Sequence, residues 1–222
     1  VRYYANPCSD NVREAMRAGL IGFIKTPIQG NKLLPGVDWC ADNGCFSSKW
    51  NEEKWWQWLT NQPRTMRFAV VPDVVADHAK TLELYKKWGP LMTEAEIPCA
   101  FVAQDGAVPD EIPWENIASV FIGGSTEWKL SPYSAAIVQR ANILNIWAHV
   151  GRVNSYKRLR YARDIGANSV DGTYLTFGPD TNLPKLLTWL RRLEQETPLE
   201  VERGEYETFG TITTHEAASE NV

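Results

Sequence analysis

The 222-residue chain is poor in cysteine and histidine, with four of one and three of the other. Four thiols (Cys8, Cys40, Cys45, Cys99) are too few for a disulfide scaffold, and the step from Cys40 to Cys45 is not zinc-knuckle spacing. No apolar run approaches the roughly 18–20 residues that a membrane span needs, so no membrane partner is expected. No basic segment followed by an apolar one opens the chain at Val1, so no secretory signal is read. The thiols are therefore expected to be reduced, in the cytoplasm. No GxGxxG follows the first predicted strand, which argues against a dinucleotide-binding sheet. No internal repeat, low-complexity segment or linker interrupts the chain before residue 194. What is present, 44% hydrophobic and 23% charged residues, is globular composition and excludes a disordered or fibrous chain.

The net charge of -4 hides an asymmetry. Eight of the 27 acids but only one of the 23 bases, Arg203, lie in residues 194–222, so residues 1–193 carry a net +3. The acidity of the whole chain therefore does not exclude a polyanionic partner. Two segments are predicted: a catalytic body over 1–193 and an acidic, solvated, flexible tail over 194–222.

Within the body, short β-branched or aromatic runs alternate with amphipathic stretches. Strands are predicted at 2–5, 22–25, 38–41, 68–72, 100–103, 119–122, 145–149 and 168–171, and helices at 10–18, 51–60, 76–88, 132–141, 155–165 and 183–193. Asn154 is placed to cap the fifth of these helices and Gly166 to follow it in a left-handed conformation; Pro90 is expected to end the third. Strands alternating with helices imply βαβ units and a parallel sheet. The predicted fold is a compact α/β (β/α)8 TIM-like barrel with an acidic C-terminal tail.

The polar residues fall where the apolar runs stop. Trp39-Cys40-Ala41 leads into Asp42-Asn43-Gly44, and Val70-Val71 into Pro72-Asp73. Val102-Ala103 leads into Gln104-Asp105-Gly106, Phe121-Ile122 into Gly123-Gly124, and Ile146-Trp147-Ala148 into His149-Val150-Gly151-Arg152. Ser169-Val170 leads into Asp171-Gly172. In a parallel barrel these ends share one rim, where such barrels place their active sites. At any single position an acid or glycine is accounted for by capping or a turn; the repetition of Asp at strand ends is not.

Two carboxylates across a pocket suit chemistry at a sugar anomeric carbon. One can attack C1′ and hold a covalent intermediate, while the other, raised in pKa by burial beside a like charge, manages the proton of the departing group. Mg²⁺ binding is the competing use of clustered acids, without a diagnostic spacing here. No cofactor and no metal are assigned.

These motifs resemble those of the tRNA-guanine transglycosylase family, and are closest in character to its phage and bacterial relatives that insert 7-deazaguanines into DNA. Asp42-Asn43-Gly44-Cys45-Phe46-Ser47 is similar to the family's D-S-G-G-F-Q, Val102-Ala103-Gln104-Asp105-Gly106 to its V-Q-G-G, and Ile122-Gly123-Gly124 to its L-G-G. The stretch from His149-Val150-Gly151 to Val170-Asp171 resembles its G-V-G, helix, G-x-D-x-F-D block. The order matches, and the resemblance covers about residues 38–172.

The resemblance implies that Asp171 is the nucleophile that expels guanine and Asp42 the acid/base at the base nitrogen. Asp73, Gln104 and Gly124 fall on positions that read the base edge, and Asn43, Gly44, Asp105, Gly123 and His149 complete the substrate-binding set. The implied partners are DNA, guanine and a 7-deazaguanine such as 7-cyano-7-deazaguanine, with a homodimer or an accessory protein compatible with the chain. The implied location is the cytoplasm, of the host if a phage encodes the protein. Cys45 and Asp105 replace glycines of the pattern, and Gly172-Thr173-Tyr174 is not its usual continuation. The cysteine-rich zinc segment of the tRNA enzymes has no counterpart, since residues 173–222 contain no cysteine. That favours the DNA enzymes. A tRNA enzyme, another N-glycosylase or ribosyltransferase, and a nucleic-acid-binding module remain as alternatives.

Arg152, Lys157, Arg158 and Arg160, with Arg163, could face phosphates or simply form a solvated helix face. Of Trp50, Trp55, Trp56 and Trp58, Trp55 and Trp58 are read as core; Trp50 or Trp56 is the candidate to stack on an unstacked base, although aromatic stripes are more often core. Tyr174 and Phe177 are candidates for the pocket wall. His149 fits a satisfied core or loop histidine better than a catalytic one.

Overall fold

A computed structural model describes residues 1–47 and 50–197. Eight strands close into a parallel barrel in chain order: β1 (Arg2–Ala5), β2 (Gly22–Lys25), β3 (Trp39–Ala41), β4 (Ala69–Val70), β5 (Cys99–Ala103), β6 (Ser119–Ile122), β7 (Trp147–Val150) and β8 (Ser169–Asp171). β8 closes on β1 through the pairs Arg2 with Ser169 and Tyr4 with Asp171. The helices are α1 (Asp10–Arg17), α2 (Glu52–Thr60), α3 (His78–Glu94), the short α4 (Thr126–Lys129), α5 (Pro132–Ile143), α6 (Tyr156–Asp164) and α7 (Pro179–Gln195), with two 3-10 turns before β6. The TIM-like barrel expected from the sequence is the observed fold.

The two-residue period of each strand sorts its side chains into two cores. Tyr4, Ile24, Cys40, Phe68, Val70, Ala100 and Val102 point inward and fill the barrel, with Phe121 and Trp147 packed against them. Tyr3, Ala5, Phe23, Trp39, Ala41, Ala69 and Phe101 point outward into the layer beneath the helices. Strands buried on both faces must be apolar throughout, which is why they read as continuous runs rather than alternating ones. At the N-terminal mouth Asp38 gathers Arg2 at 3.2 Å, Arg67 at 3.6 Å and the Tyr4 hydroxyl at 3.0 Å, and Arg67 lies over the Trp147 ring.

The helix starts follow their caps. Ser9, Asn51 and Asp77 accept bonds from the backbone N–H three residues on, at 3.3, 2.9 and 3.0 Å. At α6 the cap is Ser155, not Asn154, whose side chain donates instead to Thr173. Gly166 is left-handed as expected, at φ 95°.

The expectation that Pro90 ends the third helix is overturned: α3 continues to Glu94. Pro90 sits on the exposed face of the helix, and it leaves the Lys86 carbonyl without its helical N–H partner. Two residues on, the fully buried Met92 anchors the helix against the barrel. Glu194 lies within α7, and Glu196 bonds Arg192 at 2.6 Å. The remainder of the acidic segment, from residue 198, is outside the described residues. Among the described residues no helix is long and apolar enough to cross a membrane.

Pro90→Ala restores one helical hydrogen bond at an exposed site. It is expected to stabilise the protein by roughly 1–2 kcal/mol, part of the helix-interior proline cost being offset by the freer unfolded chain; urea unfolding measures this, and a destabilised variant would contradict it.

Candidate active site

The inward alternation of the strands does not stop where the strands do. Cys40 leads to Asp42, Val102 to Gln104, Phe121 to Gly123, His149 to Gly151 and Ser169 to Asp171. One residue pair further along each strand, the apolar filling is thus replaced by carboxylates, an amide and glycines. Asp42 and Asp171 act electrostatically on each other and on the Cys40 thiol below them, whose pKa burial raises first and the acids raise further.

Asp42 is held by the backbone amides of Asn43 and Gly44, but these do not offset its surroundings. Burial, and then the charges of Asp171 and Asp73, push its pKa up to about 7. Asp73 is also raised by burial, and is pulled back by hydrogen bonds and by Arg152. Asn43 Nδ2 donates to Asp73 Oδ1 at 2.7 Å, and Gln104 Nε2 donates to Oδ2 at 2.5 Å. Asn43 further donates to the Val71 carbonyl and accepts from the Cys45 amide, and Gln104 accepts from the Ala76 amide. Asn43 and Gln104, both buried, are thus spent on fixing Asp73 and its loop.

Asp171 is bonded through Oδ1 to His149 Nε2 at 2.9 Å. His149, expected among the substrate-binding residues, is 0% exposed and bonds Asp171 from within the barrel. Gly151 makes this approach possible, because a Cβ there would lie 2.6 Å from the Phe121 ring and 3.4 Å from Asp171 Oδ1. Asp105 turns its carboxylate onto the Ser125 amide at 2.6 Å, tying down the loop after β6. Gly124 in that loop has φ +76°, and a Cβ there would collide with Asp105. Gly44 is likewise left-handed and packs on Pro27.

The basic residues divide into two groups. The Arg152 guanidinium donates to the Gly124 carbonyl beside the site, and the charge of Arg158 acts on Lys129. Arg160 instead acts on Glu196, and Arg163 bonds Asp164 and the carbonyls of Leu193 and Glu196, so these two serve the α6–α7 contact. Lys157 is exposed. The tryptophans resolve similarly. Trp55, Trp56 and Trp88 form one aromatic cluster at centroid separations of 5.2–6.0 Å, and the Lys25 ammonium lies over Trp58. Trp56 is therefore packing rather than a stacking platform.

Sequence reasoning missed Lys129. It is 5% exposed, its ammonium donates to the Gly151 carbonyl at 3.1 Å, and burial first, then Arg152, lowers its pKa to about 8, against the pull of Asp171. A lysine between Trp128 and Leu130 in an apolar context was the available signal. Two aromatic side chains on rim loops were also underweighted: Phe46, within the Asp42 motif, is 83% exposed, and Phe177, after Asp171, is 76% exposed. Among the described residues no three acid, histidine or cysteine side chains are grouped to hold a metal ion.

No model of a known protein family matches the chain, and no curated protein matches it. Among solved structures, the barrel is similar to one in the Amycolatopsis orientalis BexX/CysO complex, with a TM-score of 0.55, 16% identity, and coverage of 90% of this chain and 93% of that one. It also matches the Bacillus subtilis YkuI protein, which has an EAL domain and was solved with c-di-GMP and calcium, at a TM-score of 0.46 and 14% identity over 83% of this chain and 47% of that one. At such identities the first likeness shows the fold alone.

The raised pKa of Asp42 makes a statement about stability. A carboxyl whose folded pKa lies above its unfolded value, 3.8, favours folding at low pH and loses that contribution as pH rises through the folded value. Asp42→Asn is therefore expected to match the wild type near pH 4 and to gain a few degrees in Tm by about pH 7, with no further gain above. Thermal melts across that range check it, and a variant that loses stability on going to pH 8 would contradict it.

Proposed function

We propose that the protein is a DNA-guanine transglycosylase, exchanging guanine in DNA for a 7-deazaguanine of the 7-cyano-7-deazaguanine type through a covalent Asp171–deoxyribose intermediate. The observation that carries the reading is the pairing of two differently partnered carboxylates at one barrel mouth. Asp42 is raised to about 7 by burial and by Asp171, while Asp171 is oriented by a hydrogen bond from His149. Two carboxylates so placed can divide the work of nucleophile and acid/base.

In the first half-reaction Asp171 Oδ2 attacks C1′ and the C1′–N9 bond breaks. The electron pair stays on guanine N9, which takes a proton from the Asp42 carboxylic acid. In the second, the incoming base gives its N9 proton to the Asp42 carboxylate, N9 bonds C1′, and the C1′–Oδ2 pair returns to Asp171. A group near pH 7 is suited to both directions. Asp73, fixed by Asn43 and Gln104, offers the remaining lone pairs of a buried carboxylate to the N–H edge of a guanine-like base. Arg152 and Lys157 at this end of the molecule suit a phosphate backbone. Phe46 and Phe177, on the rim loops of the two catalytic strands, offer apolar faces to a nucleotide drawn out of its stack.

Incubation with guanine-containing DNA and 7-cyano-7-deazaguanine, followed by nuclease digestion and mass spectrometry, tests the reading. A modified deoxynucleoside is expected, with its yield rate falling at least about a thousandfold in Asp171→Asn. Product on tRNA alone, or base release without exchange, would overturn it. The guanine-release step is expected to slow as pH rises through about 7, where Asp42 loses its proton; a release rate that climbs with pH would contradict the acid assignment. Phe46→Ala and Phe177→Ala are expected to slow exchange several-fold more on duplex than on single-stranded DNA, because only the duplex must be unstacked; equal effects on both substrates would contradict the role given to these rings.

A further inference from the structure

Beneath Asp171 the barrel interior holds a row of polar groups that the proposed reaction does not use. Trp147, His149, Ser169 and Asp171 occupy inward positions on the neighbouring strands β7 and β8, and the strand register sets His149 beside Ser169. Trp147 Nε1 lies 2.7 Å from Ser169 Oγ, Ser169 Oγ lies 2.8 Å from His149 Nδ1, and His149 Nε2 lies 2.9 Å from Asp171 Oδ1.

Donor arithmetic gives this row a direction. An indole N–H can only donate, so Ser169 Oγ accepts from Trp147. Among the described residues the acceptor within reach of the Ser169 hydroxyl proton is His149 Nδ1. That nitrogen must therefore present its lone pair, and the ring proton resides on Nε2, facing Asp171. His149 and Ser169 are both 0% exposed, so these bonds are out of contact with bulk solvent. The ring is held between Phe121 at 4.6 Å and the edges of Phe68 at 5.2 Å and Tyr4 at 6.0 Å, and a flip would forfeit both of its hydrogen bonds.

We propose that Trp147 and Ser169 lock His149 in the tautomer protonated on Nε2, making His149 the positioning residue of the nucleophile; this rests on the reading of Asp171 given above. The lock has two consequences. Oδ1 is tied down, which leaves Oδ2 as the attacking oxygen aimed at the mouth. In the second half-reaction, when the C1′–Oδ2 bond breaks and its electron pair returns to the carboxylate, the Nε2–H is already in place to receive the charge that spreads onto Oδ1. The opposite tautomer would set a nitrogen lone pair against the carboxylate and repel it.

Two measurements test the lock, and the first does not depend on activity. The ¹⁵N shifts of His149 in the wild-type protein at pH 7.5 are expected to be pyrrole-like for Nε2 and pyridine-like for Nδ1. The reverse pattern overturns the proposal whatever reaction the protein catalyses. The second is the exchange rate. His149→Phe keeps the flat ring and removes the donor, and is expected to lower kcat roughly ten- to a hundredfold with KM little changed. Ser169→Ala frees the tautomer and is expected to lower kcat with KM little changed. Ser169→Thr restores the hydroxyl and the wild-type rate. If Asp171→Asn is inactive while Ser169→Ala and His149→Phe keep the wild-type kcat, the lock is wrong and the nucleophile assignment stands. If Asp171→Asn is itself active, the fault lies in the proposed function.

Discussion

Three carboxylates, Asp42, Asp73 and Asp171, converge on the end of a barrel whose interior is filled by Tyr4, Phe68, Val70, Val102 and Phe121. Charge gathered at an apolar surface is costly, and much of the local structure answers that cost with a different device for each acid. Asp73 receives two side-chain amides and the field of Arg152. Asp171 receives an imidazole N–H backed by a buried serine and an indole. Asp42 receives two backbone amides and is left with its pKa near 7. The asymmetry of partners, rather than the mere presence of acids, distinguishes the two carboxylates of the proposed reaction.

The glycines serve the same end. Gly151 leaves room for the Phe121 ring and the Asp171 carboxylate beside its backbone, and Gly124 admits the Asp105 carboxylate that ties the next loop. Lys129, buried under that loop and bonded to the Gly151 carbonyl, supplies a positive charge close to the acids. The opposite mouth is organised for closure, with Asp38 clamped between Arg2 and Arg67. Placing reactivity at one end and ion pairing at the other follows the division of labour common to parallel barrels.

The eight strands and the rim positions of Asp42, Asp73, Gln104 and Asp171 were legible because a strand buried on both faces must be apolar for its length and turns polar where it leaves the barrel. What was not legible depends on non-local geometry. The row behind Asp171 requires the register that sets His149 beside Ser169, which no local pattern reveals. The division of Arg152 and Arg158 from Arg160 and Arg163 requires the rotation of α6 against α7. Pro90 misled because its effect on a helix depends on which face it occupies, and here that face is open to water. The capping of α6 by Ser155 rather than Asn154 turns on one residue of helix phase, at the edge of what pattern can fix.

The central claim is that Asp171 becomes bonded to a deoxyribose carbon. Its most direct test is to incubate the protein with a guanine-containing oligodeoxynucleotide in the absence of any incoming base, quench in denaturant, and analyse the chain by gel mobility and peptide mass spectrometry. The expected result is a protein–DNA adduct that maps to the peptide containing Asp171, disappears on adding guanine, and fails to form in Asp171→Asn. DNA that is exchanged with no adduct at Asp171, or an adduct that maps to another side chain such as Lys129, would contradict it.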